Sequence, residues 1–263
     1  MNDKYIEKKR YNEHSNFILR STDSREKLQI LGALNFPLPL RPPYHRYENL
    51  IIQISLSNNN IKQLDLCCGN GLHSFTLFCK TPIINFNHNV IALDYSEKSI
   101  EIAKIRNKLT GYNVDFRVCD VEKLPFKNSS FDLITCAGSL SYVNHEIFIK
   151  ECKRVLKPGG AFICVDSFNH NVFYRLNRYI HYIRKKRTKS TLNRMPDVKL
   201  INLFRTKFKT VNVEYFGIFV FILPILMPIF GKNKSTYILN KLDHIFTFFK
   251  KYSFKIVIHA INH

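Results

Sequence analysis

The stretch LDLCCGNG at Leu64–Gly71 decides the fold, because an apolar strand ends in it and a helix is expected to follow. In an open α/β sheet, ligands bind at the carboxyl ends of the strands, where glycines let the backbone approach a ligand closely. A lone Gly-x-Gly is weak evidence, but Asp65 places an acid on the strand just before it. The stretch therefore predicts a ligand site at the end of the first strand.

Two more predicted strands end in an aspartate at the same edge of the sheet. Val90–Asp94 closes with Asp94, and Val114–Asp120 closes with Asp120. A carboxylate at the end of the second strand can accept hydrogen bonds from both hydroxyls of a ribose. Random surface acids would not fall so regularly, so the three aspartates indicate a nucleoside-binding edge.

Apolar runs and amphipathic helices alternate along the chain, which predicts a parallel sheet covered by helices on both faces. Residues 1–59 read as a cap that is polar and irregular at first, 60–168 as the ligand-binding core, and 169–263 as the region that completes the sheet. The other predicted strands are Ile61–Cys67, Phe131–Ala137, Ala161–Ser167, Thr210–Phe216 and Phe254–Ile261. The predicted helices are Tyr47–Ser55, Ser96–Leu109, Asn144–Leu156 (ending at the turn Lys157–Gly160), Asn171–Ser190 and Tyr237–Lys250.

With these motifs the sequence resembles the class I methyltransferases that use S-adenosylmethionine, especially the type 11, ubiquinone/menaquinone-biosynthesis-like branch. The resemblance covers about residues 60–168. It implies a Rossmann-like, doubly wound, mostly parallel sheet of seven strands with an antiparallel last strand. The matching segments are Asp65–Gly71, Asp94–Ser96, Asp120 with Leu124–Phe126, Phe131–Cys136 and Leu156–Gly160.

The resemblance also implies S-adenosylmethionine as cofactor and assigns residues to it. Asp65 and Gly69–Gly71, with Asn70 between the glycines, would flank the methionine part. Asp94, followed by Tyr95, would hold the ribose. The adenine would meet Asp120 and Val121, and Cys136, near the end of the matching fourth strand, would also contact the cofactor. Cys67 departs from the pattern, because the family usually has a glycine there.

Methyl transfer is an in-line displacement at an activated carbon, so the protein mainly aligns the two reactants and excludes water. A general base is optional and helps when the acceptor is a hydroxyl. Tyr142 and His145, just after the fourth predicted strand, are the nearest candidates. For each of them, however, a position in the pocket wall or at the start of a helix is favoured over a role as general base. No spacing typical of metal ligands is present.

The composition bears on location and partners. A net charge of +20 favours anionic partners such as phospholipid surfaces, nucleic acid or phosphate-bearing substrates. The charged N-terminus does not resemble a secretory signal, and seven cysteines without zinc-finger spacing suit a reducing cytosol. We therefore expect a cytoplasmic protein, with peripheral contact at the inner membrane face as one possibility.

Basic and aromatic residues crowd together from Arg175 to Lys209 at roughly helical spacing. This pattern is typical of a helix on an anionic membrane or against a phosphorylated acceptor, and equally of a helix packed on the sheet. The apolar run Ile218–Phe230 is too short to span a bilayer and contains two prolines, so core, lid and shallow insertion stay open.

The sequence thus predicts methyl transfer to a small-molecule or lipid-linked acceptor, such as a quinone-like ring or a sugar. A nicotinamide dehydrogenase is disfavoured, because no third glycine follows Gly71 at the required spacing. Arg41–Tyr44 follows no strand, and Arg41 cannot accept a hydrogen bond from a target base. An RNA- or DNA-directed enzyme stays open through charge alone, as does a non-catalytic protein with a degenerate cofactor site.

Overall fold

Seven strands form one sheet in the computed structural model, which describes residues 3–20, 32–58, 60–79 and 88–263. The strands are β1 (Lys62–Leu66), β2 (Asn89–Asp94), β3 (Val114–Val118), β4 (Phe131–Ala137), β5 (Leu156–Ser167), β6 (Thr210–Phe216) and β7 (Lys255–Ile261). Their order is β3-β2-β1-β4-β5-β7-β6. Neighbours pair in parallel except around β7, which is antiparallel to both β5 and β6. The predicted sheet with its antiparallel last strand is confirmed.

The order of the strands shows which edge of the sheet is expected to bind a ligand. From β1 the chain continues outward to β2 and β3, then crosses to β4 on the other side of β1. The carboxyl ends of β1 and β4 therefore flank the point where the winding reverses, which is where open α/β sheets bind ligands. Strands β1, β2 and β4 are almost wholly buried, as expected for a parallel sheet covered on both faces.

Helices cover both faces of this sheet, and two predicted helix starts are confirmed by their caps. The Ser96 side chain accepts a hydrogen bond from the Ser99 N–H, and Asn144 accepts one from the Ile147 N–H. The α-helices are α1 (Asp3–Arg20), α2 (Pro42–Leu56), α3 (Thr76–Cys79), α4 (Glu97–Thr110), α5 (His145–Val155), α6 (Val172–Ile183), α7 (Lys189–Asn193), α8 (Val198–Lys207) and α9 (Leu223–Ile245).

One predicted local structure was wrong, and another takes a different form in the structure. The N-terminal residues, expected to be irregular, form the 18-residue helix α1. The expected helix-exit turn at Lys157–Gly160 is a bulge within β5: Leu156 pairs with Phe131 and Ala161 with Leu133, and Gly159 between them has a left-handed backbone (φ 74°). Gly160 suits that path, since a Cβ there would lie 2.9 Å from the Lys157 carbonyl oxygen and 3.0 Å from that of Asp132.

The C-terminal third contains more helix than its sequence predicts. α8 was not predicted, and the segment expected as one helix over Asn171–Ser190 divides into α6 and α7. The apolar run Ile218–Phe230 forms a short 3-10 turn and then the first part of α9, which breaks at Gly231 (φ 68°, ψ 177°). Within the described ranges, no helix is long and apolar enough to cross a bilayer.

Candidate functional site

A cleft of about 330 Å³ opens at the carboxyl ends of β1, β2 and β4 and is covered by α1. Most residues singled out from the sequence line it, although they are far apart in the chain. The residues brought together are Asp65, Cys67, Gly69, Asn70, Asp94, Tyr95, Asp120, Val121 and Tyr142.

Asp94 holds the β1 and β2 ends of the cleft together. Its carboxylate accepts hydrogen bonds from the Gly69 N–H at 2.8 Å and the Ser96 N–H at 2.9 Å. Burial raises the pKa of Asp94, and these two hydrogen bonds oppose the rise because they favour the charged form. Each carboxylate oxygen has a second lone pair, so Asp94 can still accept from a ligand at the cleft wall.

Asp65 is more deeply enclosed than a simple ligand contact requires. Its two oxygens accept hydrogen bonds from the Ser74 hydroxyl at 2.6 Å and the Thr135 hydroxyl at 2.9 Å. Burial raises the pKa of Asp65 to about 6, because the low-dielectric interior disfavours the charged carboxylate. Asp65 therefore fixes the loop after β1 by binding Ser74 on one side and β4 on the other.

The raised pKa of Asp65 makes stability depend on pH. The folded protein binds the proton of Asp65 more tightly than the unfolded chain does. The contribution of this proton to the unfolding free energy is therefore complete below about pH 4 and is lost as the pH rises through 6. We expect the unfolding free energy of Asp65→Asn, relative to wild type, to increase by about 2 kcal/mol between pH 4 and pH 7. Urea denaturation of both proteins across that range measures the difference, and a difference that stays constant with pH would contradict it.

Cys67 lies at the turn that follows β1, and its backbone is left-handed, with φ at 54°. That region favours glycine, because a Cβ there crowds the following carbonyl oxygen. The usual glycine of the resembling family thus has a conformational reason, and this chain replaces it with a thiol. The hydrogen bond with the Cys136 thiol, together with burial, raises the pKa of Cys67, so the thiol stays neutral.

A matched pair of substitutions tests this backbone strain. Cys67→Ala and Cys67→Gly both remove the thiol and its contact with Cys136, but only glycine relieves the left-handed conformation. We expect Cys67→Gly to be the more stable of the two by about 1 kcal/mol in urea denaturation. Equal stability would mean that residue 67 is not held in this conformation.

The α1 helix covers the cleft through contacts far apart in sequence. Lys4 Nζ lies 2.6 Å from Asp120 Oδ2 and 3.3 Å from Glu122 Oε2. Lys8 lies over the Tyr95 ring, with its Nζ 4.5 Å from the ring centroid. These contacts bring α1 to the ends of β2 and β3, so the helix forms one wall of the cleft.

Three predicted site residues lie elsewhere. Gly71 is packed between α4 and β3, where a Cβ would come within 3.0 Å of Phe116 and 3.1 Å of Ala103. Cys136 is completely buried in β4 and contacts Cys67. His145, on the first turn of α5, bonds through Nε2 to the Leu140 carbonyl oxygen at 2.9 Å, and burial lowers its pKa. None of the three lines the cleft.

Tyr142 lines the cleft beside α1, between two guanidinium groups. Its phenolic oxygen accepts from Arg187 Nη1 at 2.6 Å and from Arg10 Nη2 at 3.2 Å. The Tyr11 ring meets the Tyr142 ring edge-on, with centroids 5.5 Å apart. The two guanidinium donors and a side-chain hydrogen bond with Tyr11 therefore already engage the Tyr142 hydroxyl.

A stack of flat side chains, not predicted from the sequence, also borders the cleft. The Phe36 and Tyr44 rings lie parallel at 3.7 Å, and the His73 ring is parallel to Tyr44 at 5.4 Å. Behind them the buried Glu48 approaches His73, with Oε1 3.7 Å from Nδ1. In the sequence, only the aromatic residues of the Pro-rich stretch Phe36–Tyr44 hinted at this wall.

Glycine backbones leave open space along the cleft. At Gly69 and Gly138, both with left-handed backbones, an added Cβ would meet no atom within 4 Å. A ligand can therefore approach the main chain closely at the ends of β1 and β4. Among the residues that the structure describes, no group of three or more His, Cys, Asp and Glu side chains is arranged to hold a metal ion.

Comparisons with known sequences point in one direction. A family model described as a methyltransferase domain matches residues 57–239. Demethylmenaquinone methyltransferase of Lactococcus lactis is 38% identical over 106 residues, which are 40% of this chain and 41% of that protein. The Staphylococcus haemolyticus protein of the same name is 34% identical over 107 residues, covering 40% and 43%. The match spans about two fifths of the length of these curated relatives.

Solved structures share the fold. Phosphoethanolamine N-methyltransferase 2 of Haemonchus contortus, solved with S-adenosyl-L-methionine, superposes with a TM-score of 0.58 at 16% identity, covering 83% of this chain and 52% of that one. The YcgJ protein of Bacillus subtilis superposes with a TM-score of 0.52 at 20% identity, covering 83% and 99%. At such identities the likeness is one of fold, and it agrees with the Rossmann-like sheet described above.

Proposed function

The chain belongs to the methyltransferase domain family, and on that premise we propose that it transfers the methyl group of S-adenosylmethionine to a small-molecule or lipid-linked acceptor. The observation that carries the proposal is the convergence of Asp94, Asp120 and Gly69 on one cleft at the carboxyl edge of the sheet. Two carboxylates and an open glycine backbone suit the hydroxyls, adenine and amino-acid portion of that cofactor.

The roles that we propose for individual residues follow from their places in the cleft. Asp94 accepts from the ribose hydroxyls, and Tyr95 lies next to it at the mouth. Asp120 and the buried Val121 meet the adenine. The Gly69 and Asn70 backbone borders the methionine part, whereas Asp65 shapes the loop that carries them. The sulfonium of the bound cofactor supplies an electrophilic methyl group, and the chain aligns the acceptor with it and excludes water.

For the acceptor we propose a flat ring of the quinone type, or alternatively a sugar, free or carried on a lipid. The Phe36, Tyr44 and His73 stack supports a ring, since aromatic faces favour offset stacking. The names of the sequence relatives support the same class. Tyr142 would border the acceptor at the wall of the cleft. We propose no role for His145 in the reaction, because it does not line the cleft.

Calorimetric titration with S-adenosylmethionine, S-adenosylhomocysteine and NAD tests the cofactor assignment. We expect micromolar binding of both adenosyl ligands and none of NAD. Transfer of a radiolabelled methyl group to lipid extracts then tests the acceptor class. Failure to bind either adenosyl ligand would contradict the proposal and favour a degenerate site, with Cys67 as the first residue to restore to glycine.

A further inference from the structure

The α6 helix is oriented against the usual rule for surface helices. A helix of a globular protein turns its apolar stripe to the core. In α6 the stripe is exposed: Phe173 is 60% exposed, Leu176 57% and Ile183 62%. The one buried residue of the helix is Arg178, whose guanidinium donates to the Phe168 carbonyl oxygen and to Asn169 Oδ1. The polar side of α6 therefore faces the protein, where Arg178 binds the segment after β5, and the apolar side is left in solvent.

A second set of exposed apolar side chains adjoins this stripe. The Phe173 ring stacks on Phe221 at 4.7 Å, and Phe221 lies in the turn that leads directly into α9. In the first part of α9, Ile225 and Ile229 are about two thirds exposed. The two helices thus meet at an aromatic pair and together expose more apolar surface than single scattered residues would, which marks an interaction site.

The surroundings of the stripe are strongly cationic. No Asp or Glu occurs between Asn171 and Pro196. The eight cations of that segment are Arg175, Arg178, Arg184, Lys185, Lys186, Arg187, Lys189 and Arg194. Apart from Arg178 and Arg187, which bond within the protein, most of these side chains extend into solvent. An apolar stripe with a cationic border matches a surface that has both anionic groups and an apolar interior.

This surface lies beside the cleft. α6 follows the carboxyl end of β5, which is the edge of the sheet that carries the cleft. The basic segment after α6 then returns to the cleft wall, where Arg187 binds Tyr142 and Thr188 donates to Glu7 of α1. A surface that covers α6 would therefore lie near the part of the cleft wall that contains Tyr142, where we propose that the acceptor binds.

We propose that α6 and the start of α9 dock on a bilayer that contains anionic phospholipid, with α6 lying in the plane of the interface. Twelve residues of helix are about 18 Å long, too short to span a bilayer but suited to lying on one. A second copy of the chain is a poor occupant, because a symmetric contact would bring two cationic borders together. The inference goes beyond the proposed methyl transfer and does not depend on it.

Vesicle sedimentation of the full chain tests the proposal. We expect binding to vesicles of phosphatidylcholine with one quarter phosphatidylglycerol at low salt, much weaker binding to phosphatidylcholine alone, and loss of binding at high salt. A Phe173→Ser, Leu176→Ser, Ile180→Ser variant should bind at least tenfold more weakly. Phe17→Ser with Ile147→Ser, which changes exposed apolar residues elsewhere, should bind like wild type.

Other outcomes would overturn the docking surface. The first is equal vesicle binding by the α6 variant and wild type. The second is self-association of the wild-type chain that the α6 variant abolishes. The third is a chain that binds no vesicles and instead binds RNA, with an affinity that depends on salt but not on the apolar residues of α6. Calorimetric binding of S-adenosylmethionine, measured on the same variants, shows that the cleft is intact. It also separates the two proposals, because a chain that binds vesicles but no adenosyl ligand would fail only the methyl-transfer one.

Discussion

Replacing Asp94 with alanine is expected to weaken binding of S-adenosylmethionine by about 1–3 kcal/mol, or roughly 5- to 150-fold. The loss has two sources. The variant removes the carboxylate proposed to accept from the ribose, and it releases the Gly69 and Ser96 N–H groups that Asp94 now holds. Titration calorimetry with S-adenosylmethionine and S-adenosylhomocysteine measures the change, and both ligands should lose affinity equally because both carry the ribose.

Asp115→Ala is the matched control. Asp115 lies exposed on β3 and pairs with Arg117 two residues further along the same strand, away from the cleft. Its loss should leave the affinity for both ligands unchanged. If Asp94→Ala also bound with wild-type affinity, the ribose assignment would be wrong even if the chain binds the cofactor.

The parts of the site that could be predicted are those set by strand ends. Parallel pairing puts Leu93 beside Leu66 and Val118 beside Asp94, so residues that close successive strands meet at one edge whatever lies between them. Asp65, Asp94 and Asp120 follow from that geometry alone. Cys136 shows the limit of predictions from strand ends. It ends a matching strand segment, yet its side chain lies in the core and not in the cleft.

The parts that could not be predicted depend on contacts between distant segments. The sequence of α1 is mostly polar and lacks a clear apolar stripe, and the ion pair between Lys4 and Asp120 joins residues 116 positions apart. The apolar stripe of α6 is clear in the sequence, but its periodicity fits a helix that turns this stripe to the core as well as one that exposes it. Only the position of Arg178 in three dimensions shows that the polar side faces the protein.

Alanine at Gly69 is expected to reduce the affinity for both adenosyl ligands at least tenfold, while alanine at Gly111 leaves it unchanged. The two glycines are matched in conformation, with φ of 55° and 72°, and at neither would a Cβ meet another atom within 4 Å. Each substitution should therefore cost about 1 kcal/mol of stability through the left-handed backbone alone. Urea denaturation checks that the two costs are alike.

The two positions differ in what lies beside them. Gly111 ends α4 outside the cleft, whereas Gly69 lines it, so only the methyl of Gly69→Ala enters the space that a ligand would occupy. Because stability changes alike in both variants, any difference in affinity reports close approach of the ligand to the main chain after β1. Wild-type affinity in Gly69→Ala would mean that the ligand stays away from this loop, and the assignment of the methionine part to Gly69 and Asn70 would then fail.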